Sequence, residues 1–198
     1  LKLADRTVVI LTSDNGGVDF PTAKSGNRPP TRNVPFRSGK GTLYEGGLRV
    51  PLIIRWPGRT RPGTECAVQV TSQDFFPTLA DALGQTNAPR HDGVSLLPLL
   101  KNPKTPLNRE ALFWHYPHYY PRMTPASAIR ADNWKLIHYY EDNRIELFNL
   151  KTDPAETNNL AATQPAQAKA LRAKLDAWRK ETNARAPTKN PDWRARKK

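Results

Sequence analysis

Apolar runs, and the turn residues that stop them, predict short strands in the first half of the chain. Residues 7–11 form an unbroken apolar, mostly β-branched run that a Ser-Asp-Asn-Gly-Gly cluster ends at residues 13–17. Such a run is typical of a strand buried on both faces in a parallel sheet with helices on each side. Residues 50–56 predict the next strand, with Pro51 near its start, where a residue without an N–H is tolerated. Residues 68–70 predict a short third strand.

Two helices are predicted from caps and periodicity. The first begins at Ser72 or Asp74, either of which would cap it, and ends at Leu83, where Gly84 closes it. Its apolar face would consist of Phe75, Phe76, Leu79, Ala82 and Leu83. The second spans about residues 164–182 and carries an apolar stripe at steps of three, four and three, formed by Ala168, Leu171, Leu175 and Trp178.

Between these helices the pattern predicts a small antiparallel meander. Its strands would be residues 128–130, 134–140 and 145–149, and the last helix would lie on them. Alternation in the middle strand is imperfect, so the sequence leaves open which face is buried. Before the meander, residues 112–120 predict a strand followed by a loop, because Pro117 would break a helix.

The first candidate site directly follows the first predicted strand. Ligands bind just beyond the carboxyl ends of strands in parallel sheets, which is where Asp14 and Asn15 lie. Their carboxylate and amide oxygens suit Ca²⁺ or Mg²⁺ better than a thiolate-binding metal. The same residues are also ordinary turn formers, and that alternative stays open on this cluster alone.

A second cluster places Lys40 between Gly39 and Gly41. Flanking glycines let the backbone approach a ligand closely, although a solvated turn lysine is the plain alternative. A Walker phosphate loop is not a good alternative, because Gly41 stands where Ser or Thr is required and Val34 stands in place of the first glycine. Residues 18–37 form a long proline-marked loop between the two clusters; loops of this length are either functional or disordered, and its position between the clusters favours a loop that rims the pocket.

A series of motifs in order resembles the second half of the type I, formylglycine-dependent sulfatases. The resemblance covers roughly residues 1–180 and rests on SDNG, GKGTLYEGGLRVP, WPG, SQDFFPTLADALG, DGVSLLPLL, AIRADNWKLI and ELFNLKTDPAETNNL. It implies an α/β fold: part of an alkaline-phosphatase-like sandwich, with a mixed sheet flanked by helices. The resemblance also implies a small C-terminal α+β domain with an antiparallel sheet and one long helix. The expected domains are residues 1–104, 105–184 and a basic tail at 185–198.

The same resemblance implies the site and its chemistry. Asp14 and Asn15 would be two ligands of Ca²⁺, with Mg²⁺ as the other candidate ion, and Lys40 would be catalytic by contacting the sulfate ester oxygens. The family's nucleophile is a formylglycine made from Cys or Ser within a Cys/Ser-x-Pro-x-Arg motif. The sequence has no such motif, since Cys66, its only cysteine, is not followed by that Pro and Arg. We therefore expect a C-terminal segment that is inactive by itself.

Two other pairs of residues could contact a ligand, but each also has a simpler structural explanation. His115 and His118 would bind substrate, because in related sulfatases this stretch passes near the substrate opening; a packed aromatic strand with incidental histidines is the alternative. Glu45 and Arg49 could touch a ligand, but an internal pair that braces the loop is favoured.

The net charge and the distribution of apolar residues limit the kinds of binding partner that are expected. The net charge of +13 favours anionic ligands, but residues 179–198 hold eight basic and two acidic side chains without hydrophobic periodicity, so part of the excess is a solvated tail. No aromatic and basic motif accompanies that tail, so nucleic acid is not expected. No apolar stretch is long enough to span a bilayer. The expected partner is a sulfated small molecule or sulfated glycan, and the family resemblance implies a periplasmic or secreted location.

Two other function classes stay open. A phosphatase or phosphodiesterase of the wider alkaline phosphatase superfamily would usually place His after the aspartate, whereas Asn15 supplies an oxygen and favours the sulfatase. A non-catalytic basic binding module would fit the missing nucleophile motif.

Overall fold

The computed structural model describes residues 1–85, 87–188 and 190–192. Its elements in chain order are β1 (Val9–Thr12), α1 (Glu45–Leu48), β2 (Leu52–Arg55), α2 (Phe75–Ala82), α3 (Leu97–Lys101), β3 (Leu112–Tyr116), β4 (Ala126–Ala131), β5 (Trp134–Tyr139), β6 (Ile145–Asn149) and α4 (Pro165–Glu181). Single 3₁₀ turns lie at Ala4–Arg6 and Ser72–Asp74.

The chain forms two compact units. The first contains Leu1–Ser13 and Pro51–Glu110; the second contains Asp14–Val50 and the described residues from Ala111 onward. The domain limits expected from the sequence, 1–104, 105–184 and 185–198, stay a prediction. Lys189 and residues 193–198 of the expected basic tail lie outside the described residues.

In the first unit, β1 and β2 are antiparallel, with Val9 opposite Arg55 and Thr12 opposite Leu52. The expectation that β1 is buried on both faces of a parallel sheet is therefore wrong for this chain: Val9 is 48% and Leu11 59% exposed. The sheet has only these two strands among the described residues, and even the paired Ile10 and Ile54 are only half-buried. Residues 68–70, expected to be a strand, are not one.

The helix α2 forms where the sequence predicts it, but a different face is buried. Its start is held by a capping box between Thr71 and Asp74. Asp74 also accepts a hydrogen bond from the Val94 N–H (3.0 Å), and the Thr78 hydroxyl accepts one from Leu96 N–H (2.8 Å). The segment after α2 thus packs on its polar face, whereas most of the predicted apolar face, including Phe76 and Leu83, is exposed.

The second unit is built on the four-stranded antiparallel sheet β3-β4-β5-β6. The predicted meander and long helix are confirmed, and β3 joins the meander as an edge strand. On one face the α4 stripe packs against three buried sheet residues, Ile129, Leu136 and Leu147. On the other face Leu43 and Tyr44 pack against Ile137, Tyr139 and Phe148.

Burial on both faces explains why the alternation in β5 is imperfect. Leu136 faces the helix, while its neighbour Ile137 faces the loop that contains Leu43 and Tyr44. Both are fully buried, so both need to be apolar. The sheet therefore anchors the chain that follows Lys40. No helix in the described part of the chain is long and apolar enough to cross a bilayer.

His138 provides a test of the packing between β5 and α4. Its Nε2 lies 2.7 Å from Asn143 Oδ1 and its Nδ1 lies 3.1 Å from Arg179 Nη1. Burial lowers the pKa of His138, and Arg172 and Arg179 on α4 add to this, while Asn143 and Asp176 oppose it. The folded protein therefore binds fewer protons here than the unfolded chain, whose histidine titrates at about 6.5.

We expect the free energy of unfolding to fall as the pH is lowered through 6.5, because protons then bind preferentially to the unfolded chain. In His138→Gln this part of the pH dependence should be missing, whereas His118→Gln, an exposed loop position, should behave like the wild type. Urea unfolding between pH 5 and 8 measures the difference. Equal slopes in the wild type and His138→Gln would contradict the expectation.

Candidate functional site

The two clusters singled out by the sequence meet in the second unit through backbone hydrogen bonds. Gly16 N–H donates to Gly47 C=O (3.0 Å), and Lys40 N–H donates to Gly17 C=O (3.0 Å). The approach requires glycine, because a Cβ at Gly16 would overlap the carbonyl group of Gly46. The Asp-Asn pair and Lys40 therefore belong to one assembled loop pair.

Asn33, which the sequence did not single out, braces this pair. Its side-chain oxygen accepts from Gly17 N–H (3.0 Å), and its amide donates to the carbonyl groups of Gly17 and Ser38 (both 2.9 Å). All three partners are main-chain groups, so no sequence pattern at Asn33 could have revealed its role. The long loop 18–37 is thus tied to the site.

Asp14 and Asn15 offer oxygen donors in a tight turn. Asp14 is exposed, and its Oδ1 accepts from Asn15 N–H (3.0 Å); the Asn15 amide is half-buried and donates to Gly16 C=O (3.0 Å). This donor set fits a hard cation such as Ca²⁺. Among the described residues no group of three His, Cys, Asp or Glu side chains could hold a metal. A shell of six to eight oxygens would therefore need water, substrate or further residues as well.

Lys40 is half-buried, and its main chain is fixed on both sides. A Cβ at Gly39 would overlap the carbonyl of Gly17, and Gly41 adopts φ +81° with the Tyr120 ring against it. Asp19 lies next to this turn, and its Oδ1 is buried without a hydrogen-bond partner among the described residues. The assignments of Asp14, Asn15 and Lys40 to metal and ester stay predictions, although all three now belong to one assembly.

Behind the lysine loop lies a buried ionic cluster formed by Glu45, Lys135 and Glu156. Lys135 Nζ is 3.0 Å from Glu45 Oε1 and 2.9 Å from Glu156 Oε1. Glu45 N–H donates to Glu156 Oε2 (2.6 Å), and Arg130 Nη1 lies 3.2 Å from Glu45 Oε2. Burial raises the pKa of Glu156, and the Lys135 ammonium opposes that rise.

The interpretation of Glu45 as a brace is confirmed, because Arg49 lies 4.0 Å from it and all of its partners are internal. The sequence could not show Lys135 and Glu156 as its main partners, since they follow it by 90 and 111 positions. Together these groups fix α1, the element that directly follows the lysine loop.

The structure places the two predicted substrate-binding histidines differently. His115 lies on β3, where its Nδ1 bonds Ser127 Oγ and its Nε2 bonds the carbonyl group of Arg185, both at 2.9 Å. His118 is exposed after β3 and meets the ring of Tyr116 edge-on. His115 therefore has a bracing role, and contact of either histidine with substrate stays a prediction.

Comparison with known proteins gives a consistent family. The model described as N-sulphoglucosamine sulphohydrolase, C-terminal, matches residues 38–182. A sulfatase from Formosa agariphila is 39% identical over an alignment of 199 positions that covers 92% of this chain and 34% of that protein. Arylsulfatase A from Homo sapiens is 35% identical over an alignment of 170 positions that covers 83% of this chain and 31% of that protein.

Solved structures agree with this. One is described as BT4656 in complex with its substrate D-glucosamine-2-N,6-O-disulfate; it has a TM-score of 0.70 at 31% identity, covering 92% of this chain and 36% of that one. Another, described as BT1596, a 2-O GAG sulfatase, has a TM-score of 0.72 at 25% identity, covering 93% and 38%. The α/β fold class is thereby confirmed. The chain spans about a third of the length of the relatives it matches.

Proposed function

Since the chain belongs to the family of C-terminal sulfatase domains named for N-sulphoglucosamine sulphohydrolase, we propose that it forms part of a sulfuric ester hydrolase. Its substrates would be sulfated small molecules or sulfated glycans. Support for a sugar comes from one solved relative, described in complex with a disulfated glucosamine.

The observation that carries the proposal is the pairing of the two loops. Backbone bonds from Gly16 to Gly47 and from Lys40 to Gly17 join an oxygen-rich turn to a lysine turn. An ester sulfate spreads negative charge over its oxygens in the transition state, so fixed cations stabilise that state. A hydrolase of anionic esters needs such a pairing, whereas a passive structural loop does not.

Each residue has a separate role in this proposal. The Lys40 ammonium would neutralise charge on the sulfate oxygens, and Asp14 and Asn15 would hold Ca²⁺. When bound, the ion would supply Lewis-acid stabilisation of the same oxygens. The sequence contains no Cys/Ser-x-Pro-x-Arg motif, so we propose that the formylglycine nucleophile belongs to a part of the protein that this sequence does not contain, and that this chain alone is inactive.

The proposal is tested by comparing 4-nitrophenyl sulfate with 4-nitrophenyl phosphate as substrates of the complete protein. We expect faster hydrolysis of the sulfate, because Asn15 offers an oxygen where a phosphatase would place a histidine for a transition metal. Faster hydrolysis of the phosphate would favour the phosphatase alternative. If neither ester were hydrolysed, the non-catalytic binding module would be favoured.

Replacing Asp14 by alanine in the complete protein should weaken Ca²⁺ binding, because the carboxylate is the only anionic ligand that the turn supplies. Ca²⁺ that binds only the folded state raises the melting temperature. We expect this rise to be much smaller in Asp14→Ala, and sulfate ester turnover to be lost.

Asp81→Ala is the matched control, since Asp81 is an exposed carboxylate on α2. It should keep both the calcium-dependent melting shift and the turnover of the wild type. An undiminished melting shift in Asp14→Ala would remove Asp14 from the metal site, whatever happens to turnover.

A further inference from the structure

An open cleft of about 400 Å³ lies in the second unit and has no assigned role. Three arginines, Arg37, Arg122 and Arg144, line it together with two adjacent tyrosines, Tyr119 and Tyr120, and a single acidic residue, Glu146. We call it the arginine–tyrosine cleft.

Among the charged side chains that line this cleft, only the positively charged ones are well exposed. The side chains of Arg37, Arg122 and Arg144 are 41%, 43% and 46% exposed, whereas that of Glu146 is 9% exposed. Asp19 and Asp142 pair with Arg122 and Arg144, at 4.0 and 3.4 Å, but neither carboxylate lines the cleft. The lining itself therefore presents guanidinium groups rather than carboxylates, and the Glu141 carboxylate, which accepts from the Tyr119 hydroxyl (2.6 Å), lies outside that lining.

Two of the three guanidinium groups, those of Arg37 and Arg144, are held in place before any ligand arrives. Arg37 lies 3.9 Å above the Tyr44 ring and Arg144 lies 3.7 Å above the Tyr139 ring. Glu146 holds both arginines through ion pairs and accepts a hydrogen bond from the Tyr44 hydroxyl (2.7 Å). Burial raises the pKa of Tyr44 far above its usual range, so the phenol remains a donor. Stacked, oriented guanidinium forks suit planar or tetrahedral oxyanions.

The cleft adjoins the proposed reaction site. The Tyr120 ring lies against Gly41, the residue after Lys40, closely enough that a Cβ there would overlap it. Phe20, from the loop that rims the site, meets the same ring edge-on at 5.9 Å between ring centroids. Tyr119 is 70% exposed and offers a ring on which a sugar face can stack. A sugar unit next to the one bearing the scissile ester would reach this surface.

We propose that the arginine–tyrosine cleft binds a neighbouring saccharide unit that carries its own oxyanion, a second sulfate or a carboxylate. The substrate is then a polyanionic saccharide rather than an isolated monosulfate ester. This inference rests on the proposed function, because it describes how the same enzyme selects its substrate.

The test uses the complete enzyme and four probes. One is 4-nitrophenyl sulfate; the others are disaccharides that share one scissile sulfate and carry on the neighbouring unit a second sulfate, a carboxylate or no charge. We expect a lower KM for the charged disaccharides than for the neutral one, and the two charged probes identify the preferred oxyanion. Arg122→Gln and Arg144→Gln should each raise KM for the preferred probe about 10-fold, the value of one charge-assisted contact.

Both variants should hydrolyse 4-nitrophenyl sulfate within about twofold of the wild-type rate, because that probe does not reach the cleft. Arg55→Gln is the matched control, with an arginine that is 50% exposed in the other unit. Arg122 makes weaker contacts within the protein than Arg144 does. The Arg122→Gln variant therefore still tests the subsite if Arg144→Gln disturbs folding. Equal KM for charged and neutral disaccharides, or equal losses on all four probes, would overturn the subsite. If the wild type released no sulfate from any probe, the proposed function itself would fail.

Discussion

Replacing Lys40 by alanine in the complete enzyme is expected to lower kcat on a sulfate ester by about 10²-fold or more. A preorganised group that stabilises developing charge contributes on this scale, because it needs no rearrangement during the reaction. The setting of Lys40 favours this: its N–H is bonded to Gly17, and a Cβ at Gly39 or Gly41 would overlap a neighbouring group. Steady-state kinetics on 4-nitrophenyl sulfate measure the effect.

The control is Lys24→Ala, which removes an exposed lysine from the loop that precedes the lysine turn. Its kcat should equal that of the wild type, which separates the role of Lys40 from the general positive charge of the surface. A wild-type kcat in Lys40→Ala would place this side chain outside the reaction.

The largest effect on stability is expected from Lys135→Met. The Lys135 side chain is fully buried between Glu45 and Glu156, so its loss leaves two carboxylates without their shared cation. Removal of one partner from a buried ion pair costs about 3–5 kcal/mol. Urea denaturation should show a loss of this size in the free energy of unfolding.

Two further variants distinguish the cluster from a general packing defect. Lys169→Met changes an exposed lysine on α4 and should leave stability nearly unchanged. The double variant Lys135→Met with Glu156→Gln should recover part of the loss, because Glu45 keeps Arg130 as a partner (3.2 Å) and the buried charge that lost its cation, Glu156, is then removed. A loss no larger than that of Lys169→Met would show that the cluster contributes little.

What the sequence predicts well are features carried by neighbouring residues. The stripe of α4 is a local repeat, and the helix packs through it on the sheet as expected. The turn residues at 13–17 and the glycines around Lys40 were recognisable because steric needs select glycine. The residue types alone were therefore enough to single out both clusters, whereas the metal and ester roles assigned to them came from the family resemblance and stay predictions.

The features that sequence reasoning missed depend on distant partners. Lys135 looks like an ordinary strand lysine until Glu45 and Glu156 approach from elsewhere in the chain. The predicted apolar face of α2 was wrong because Thr78 and Asp74 bind main-chain N–H groups of a later segment, and that pairing outweighs the hydrophobic pattern. The burial expected for β1 needs neighbouring strands that are absent from the first unit as described.

The ionic cluster also dictates the order in which a newly made chain can acquire its reaction site. The Glu45 N–H can form its hydrogen bond only after Glu156, 111 positions further along the chain, has been synthesised. At a translation rate of about 5–20 residues per second, this delay lasts roughly 6 to 22 seconds. During that time the Glu45 N–H lacks this partner, and a premature stop codon before Glu156 would leave it so permanently, even if β3, β4, β5 and β6 had all been translated.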